Sequence, residues 1–255
     1  MTAVAALLFT IGVSDIVRLA VGVTLRWRSA RLLAGVLGIV LGALFGLLGG
    51  LGAWAVVVIF VPFWLFTTRP GSSRRASVAI VGLLGLAIVV LLAVGAAVPK
   101  PAGPLSDWYA TLPYAGLTSI PLETVAIVGA AAVFLIESAN VVVRLALAPI
   151  TAQAEAPDET PGRTMLFQSP EDLLELPLPG GRLIGPLERI LILSLALAGQ
   201  FTAIGAVVAA KGIIRFPEIS RDTVGGSKAE FFIVGSLASW VLVAGAVSLA
   251  VLATG

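Results

Sequence analysis

The chain has 255 residues, of which 58% are hydrophobic and only 12% charged, with a net charge of +2; soluble domains hold roughly 45–50% apolar and about 25% charged residues. It contains no Cys and no His, which excludes disulfides, thiol chemistry, Ser-His-Asp triads and the usual zinc and haem ligands. The mean hydropathy of +1.07 and several runs longer than the ~18 apolar residues of a membrane-crossing helix define the expected class, an all-α integral membrane protein built as a polytopic helical bundle.

The runs are continuous rather than alternating over about ten residues, which argues against a β-barrel. The sequence pI near 9.4 is no sign of nucleic-acid binding, because the basic residues fall in loops where membrane topology explains them. A carboxylate-only metal site stays open, but no catalytic, metal or cofactor constellation stands out and none is expected.

The first crossing is expected at about 3–24. Its start carries no Lys or Arg before the apolar core and holds Asp15 and Arg18 inside, so it reads as a retained helix rather than a cleaved signal. "RWRSAR" follows. The run 32–67 is too long for one ordinary span at ~1.5 Å per residue and suits two helices turning at Gly49–Gly50. After "TTRPGSSRR" comes a crossing at about 77–98, then a Pro-rich loop with Trp108 and Tyr109 as interface aromatics. A fifth crossing covers about 124–148. The polar stretch 150–182 includes "SPEDLLELP", with Ser169 placed as an N-cap. Residues 184–215 fit a hairpin of two short helices turning near Gly199–Gln200, and a last crossing runs about 230–253.

The chain thus divides into a membrane part at 1–149 with about five helices, a loop at 150–182, and a second membrane part at 183–255. The count is eight crossings, or six if 184–215 is re-entrant. With eight, the loops at 25–31, 68–76, 149–183 and 216–229 share one side and carry Arg26, Arg28, Arg31, Arg69, Arg74, Arg75, Arg163, Arg182, Arg221 and Lys228, against Lys100 alone on the other. Cytoplasmic loops hold the Lys and Arg excess. Both termini are therefore expected outside, in a bacterial cytoplasmic membrane.

Within 32–48, Gly38, Gly42 and Gly46, continued by Gly50, repeat at a spacing of four. Glycine is costly in a helix interior, and small residues at this spacing let helices meet backbone to backbone in lipid. Packing within the chain is the first reading and a homo-oligomer seam the second.

Nine ionisable residues fall inside the expected helices: Asp15, Arg18, Glu137, Arg144, Glu188, Arg189, Lys211, Arg215 and Glu230. Each Asp, Lys or Arg at a span's centre costs about 2.5–3.5 kcal/mol on insertion scales, so pairing is expected. Asp15 and Arg18 are neighbours one turn apart. Glu137, Asn140 and Arg144 are spaced three and four, as one polar stripe. Lys211 and Arg215 need an anion, which Glu188 or Glu230 can supply. Snorkelling at helix ends is the plainer account of Arg18, Arg144 and Arg215, and capping that of Glu188 and Glu230. Glu137 is the deepest acid and the strongest candidate for function. The segments 13–20, 139–146 and 210–217 superpose on Arg18, Arg144 and Arg215, the pattern an internal repeat leaves.

The stretches "IGPLERILILSLALAGQ", "AIGAVVAAKGIIRF" and "KAEFFIVGSLASW", over about 183–240, resemble a family of bacterial multi-pass membrane proteins of unknown function; the Ala/Val/Gly-rich style resembles actinobacterial sequences. The resemblance implies Glu188, Arg189, Gln200, Lys211, Arg215, Phe216, Glu230 and Gly235 as signature positions and brings no activity with it. Three functions stay open: a transporter or channel for a small solute or ion, a non-catalytic component recruiting a cytoplasmic partner through 150–182, and, last, a lipid-modifying enzyme.

Overall fold

A computed structural model describes residues 1–22, 36, 51–68, 74–95, 104–154, 181–220 and 227–254. The expected crossing at 32–48 with its glycine ladder, Gly50 included, and residues 155–180 of the polar loop lie outside them. The described residues form helices joined by turns. In chain order these are α1 (Thr2–Gly22), α2 (Leu51–Thr67), α3 (Arg74–Gly95), α4 (Pro104–Ala110), α5 (Ala115–Thr118), α6 (Leu122–Ile136), α7 (Ser138–Ala154), α8 (Gly181–Leu197), α9 (Phe201–Ser220) and α10 (Ser227–Leu252).

Among the described residues, three stretches are long and apolar enough to cross a membrane, namely Thr2–Ala20, Arg75–Val94 and Ala229–Leu252. The pair α6 and α7 makes a fourth if taken together, but it is bent by 50°. This corrects the expectation of one continuous helix over 124–148: the helix breaks at Glu137, whose backbone leaves the helical region at φ −121°, ψ −41°. The outer surface is that of a protein solvated by lipid. Ile59, Phe63, Val89, Val241, Ile213 and Phe216 are all exposed, where a water-soluble surface would bear charges.

Helix α6 is the central element. On one side Ile127, Ala130 and Phe134 share a buried cluster with Leu7 and Ile11 of α1, Trp64 of α2 and Ile80 of α3, with α1 packed directly on α6. The other packs Ala131 and Leu135 against Ile192 and Leu193 of α8 and Val243 and Ala246 of α10. The approach of α1 is set by Gly12, where a Cβ would lie 2.9 Å from Val133 C and from Phe134 N. Only a residue without a side chain allows that separation, the packing mode by which helices associate in lipid.

Side-chain contacts fix the relative directions. Thr124 near the start of α6 donates to Ala253 O just past the end of α10 at 2.8 Å, and Leu147 of α7 meets Gly235 early in α10, so α10 runs against α6 and α7. Ser77 at the start of α3 donates to Thr67 O at the end of α2 at 2.9 Å, which ties the two helix ends together. Gly12 meeting Val133 and Asp15 meeting Ser138 make α1 parallel to α6.

The turn expected near Gly199–Gln200 is present. Gly199 has φ +70°, the left-handed conformation that glycine adopts without strain. Gln200 N donates to Leu195 O at 2.8 Å and Gly199 N to Ala196 O at 3.0 Å. These two bonds are the Schellman ending, which satisfies the last carbonyls of α8.

Candidate functional site

The break between α6 and α7 frees carbonyls that water cannot reach in hydrocarbon, so protein groups must satisfy them. They do. Arg189 Nη1 of α8 donates to Leu135 O at 3.1 Å, and Asn140 Nδ2 to Ile136 O at 3.2 Å. The same Asn140 amide donates to Glu137 Oε2 at 3.1 Å, while its Oδ1 accepts from Arg189 Nη1 at 2.8 Å. Arg189 Nε and Nη2 reach Ser239 Oγ of α10 at 3.3 and 3.2 Å. Glu137 and Arg189 are 5% and 3% exposed. Gly185, one turn before Arg189, leaves room beside the guanidinium: a Cβ there would stand 3.5 Å from Arg189 Nη2 and 3.7 Å from Asn140 Oδ1.

A second group adjoins it through Ser138. Asp15 is fully buried, and its Oδ2 accepts from Ser138 Oγ at 2.6 Å and from Trp64 Nε1 at 3.0 Å. Its Oδ1 faces Arg18 Nη2 at 2.7 Å, a charge contact whose angle falls short of a hydrogen bond. Arg18 Nη1 also donates to Thr68 Oγ1 at 3.0 Å, and Thr68 in turn to Trp64 O at 2.7 Å. Asp15 stands 13 residues into α1 and Trp64 13 into α2, both about 20 Å from their helix starts. Parallel helices therefore bring them to one level with the break.

The third group lies on the other flank of Arg189. Lys211 Nζ of α9 meets Glu188 Oε2 at 2.6 Å and Oε1 at 2.9 Å. Trp240 Nε1 donates to Glu188 Oε1 at 3.3 Å, and Nζ lies 5.9 Å from the ring centres of Phe232 and Trp240, within cation–π range. The Glu188–Lys211 pairing is one of the alternatives read from the sequence.

The other expected members differ in burial. Arg144, Gln200, Arg215 and Glu230 are exposed. The stripe Glu137–Asn140–Arg144 shortens to its first two members, because the bend at Glu137 replaces one continuous face. Instead of one cluster there are three groups at neighbouring positions, with Arg189 beside Glu188 and Ser138 beside Glu137 as the sequence links between them. Trp64, Thr68, Ser138, Ser239 and Trp240 were not singled out by sequence reasoning. Hydroxyls and indoles carry no charge to mark them in an apolar run; only helix packing shows what they face. Among the described residues no three Asp or Glu converge as a metal site would require.

The described residues are all-helical, with helices long and apolar enough to cross a membrane and polar groups buried between them. No family model matches the chain, and no curated protein or solved structure matches it either.

Proposed function

We propose that the chain is a polytopic protein of the cytoplasmic membrane that moves a small solute or ion, with the α6–α7 break as its binding site. The carrying observation is a helix interrupted at a buried carboxylate, Glu137, whose freed carbonyls are held by Asn140 and Arg189. Interrupted helices with charged groups at the break are how transporters hold cargo within the bilayer, and ionisable residues in spans mark such paths. Glu137 supplies a cation-binding oxygen pair and Arg189 a fork for an anionic group, each at present occupied by partners in the same network.

The eight-crossing topology with both termini outside belongs to this proposal. The basic loops support it, as do the helix directions, since α1, α2 and α6–α7 run one way and α10 the other. The likeness of 183–240 to multi-pass proteins of unknown function belongs to it too and rests on the motifs alone.

The test is flux into proteoliposomes holding the full chain, against a panel of inorganic ions and small metabolites. Wild type is expected to move at least one of them, and Glu137→Gln, reconstituted as a folded protein, to lose it. Residues 150–154 belong to α7 and 181–182 to α8, so the loop deletion is confined to 155–180, and it should leave flux intact. Wild type that moves nothing in the panel, with capture of a cytoplasmic protein lost on deleting the loop, sinks the transport reading in favour of recruitment.

A further inference from the structure

At the end of the bundle where α1 and α6 begin, the short helices α4 and α5 fold over a cavity of about 370 Å³ lined by Phe9, Trp108, Tyr109, Leu117, Val125 and Gly129, among others. That volume lies in the range of sites that hold small organic ligands, about 300–1,000 Å³. The polar groups nearby are committed elsewhere. The Tyr109 hydroxyl reaches Leu117 O and, at 3.0 Å, Ile120 O. This ties α4 to α5 and leaves the phenol ring as a wall.

Gly129 keeps the cavity open. It is exposed on α6, and a Cβ added there would meet no atom within 4 Å. The cavity is therefore continuous with the lipid-facing surface of the bundle. Trp108 and Tyr114 beside it are 57% and 64% exposed, the placement aromatic residues take at a membrane–water boundary. Charge at this rim has one sign. Asp107 adjoins Trp108 and Glu123 adjoins Leu122, and the span 104–136 contains no Lys or Arg.

We propose that this cavity is a lipid site that takes one acyl chain of an amine-headed phospholipid, with the head at the acidic rim formed by Asp107 and Glu123. The hydrocarbon walls exclude a polar ligand. The acidic rim favours an amine over a head that is only anionic. The cavity runs along α6 from Leu122 to Val133, one turn short of Glu137, and the proposal does not depend on the transport reading.

The experiment uses the full-length protein in vesicles containing a trace of phosphatidylethanolamine with a photoreactive acyl chain, and in parallel vesicles with the phosphatidylglycerol analogue. Labelled peptides are mapped by mass spectrometry. The ethanolamine lipid is expected to label 104–133 and the first turns of α1 several-fold above the exposed face of α3. Gly129→Leu, whose side chain enters the empty space without a clash, is expected to lower that labelling several-fold at unchanged thermal stability, while Gly85→Leu on α3 leaves it unchanged. Labelling spread evenly over α3, equal labelling by the two lipids, or no change in Gly129→Leu each overturns the proposal; the last would mean that protein, not lipid, fills the cavity.

Discussion

Ser138 gives its hydroxyl proton to Asp15 Oδ2 across 2.6 Å, joining residues 123 positions apart in the chain. The bond ties the first residue of α7 to α1 and so holds the break in place from the side away from Arg189. Trp64 holds the same oxygen from α2 at 3.0 Å. One buried carboxylate therefore fixes three helices at a single level, and Arg18 balances its charge.

Ser138→Ala is accordingly expected to destabilise the protein by about 1.5–3 kcal/mol, the cost of removing a hydrogen bond to a charged group. Trp64→Phe removes the other donor and is expected to cost a similar amount. Because both act on one oxygen, the double variant should depart from the sum. Thermal unfolding in detergent micelles measures all three. Unchanged melting of Ser138→Ala would show that Asp15 is held adequately by Trp64 and Arg18.

The Glu188–Lys211 pair is only partly shielded, with side chains 13% and 26% exposed, so its coupling should be smaller than that of a fully buried pair. Glu188→Gln and Lys211→Met are each expected to destabilise, and together to cost less than the sum by on the order of 1 kcal/mol. The same cycle run with Glu230 in place of Glu188 should be additive. Coupling to Glu230 and none to Glu188 would contradict the observed pairing.

How far these contacts were legible in the sequence depends on what each one needs. Helix character needs only apolar runs, and the hairpin turn needs only Gly199 before a polar residue; both are local, and both are found. The pairing of Lys211 with Glu188 follows from two charges on adjacent arms of that hairpin. The break at Glu137 was missed because "LIESAN" contains no Pro or Gly. It is held by Arg189, 52 residues further along, and no local rule carries that information. The three-and-four spacing of Glu137, Asn140 and Arg144 indicated one stripe only while the helix was taken as straight. Close approach is equally non-local: the regular ladder at Gly38, Gly42 and Gly46 draws the eye, whereas Gly12 is a lone glycine whose need appears only with α6 against it.

Gly12→Leu tests that point. A Cβ at Gly12 would already sit 2.9 Å from backbone atoms of α6, and backbone yields less readily than a side chain. The variant is expected to lose on the order of 3 kcal/mol through forced separation of the helices. Gly85→Leu on α3, where a Cβ meets nothing within 4 Å, should be close to neutral. Comparable yield and melting temperature for both variants would refute the close α1–α6 contact.

Arg189 offers the sharpest separation of charge from geometry. Its guanidinium donates to Leu135 O, Asn140 Oδ1 and Ser239 Oγ from three different nitrogens, and a planar fork does this where an ammonium cannot. Arg189→Met removes charge and donors together. It strands the Leu135 carbonyl at the break and removes the positive charge beside the pair of Asn140 and the buried Glu137, and is expected to cost about 3–5 kcal/mol. Arg189→Lys keeps the charge but reaches fewer acceptors, so it should recover part of that loss, leaving a deficit of about 1–2 kcal/mol for the unmade bonds. Chemical denaturation in mixed micelles ranks the three proteins. If Lys restores wild-type stability in full, Arg189 acts as a point charge opposite Glu137. The break would then be held by Asn140 and helix packing rather than by the guanidinium fork.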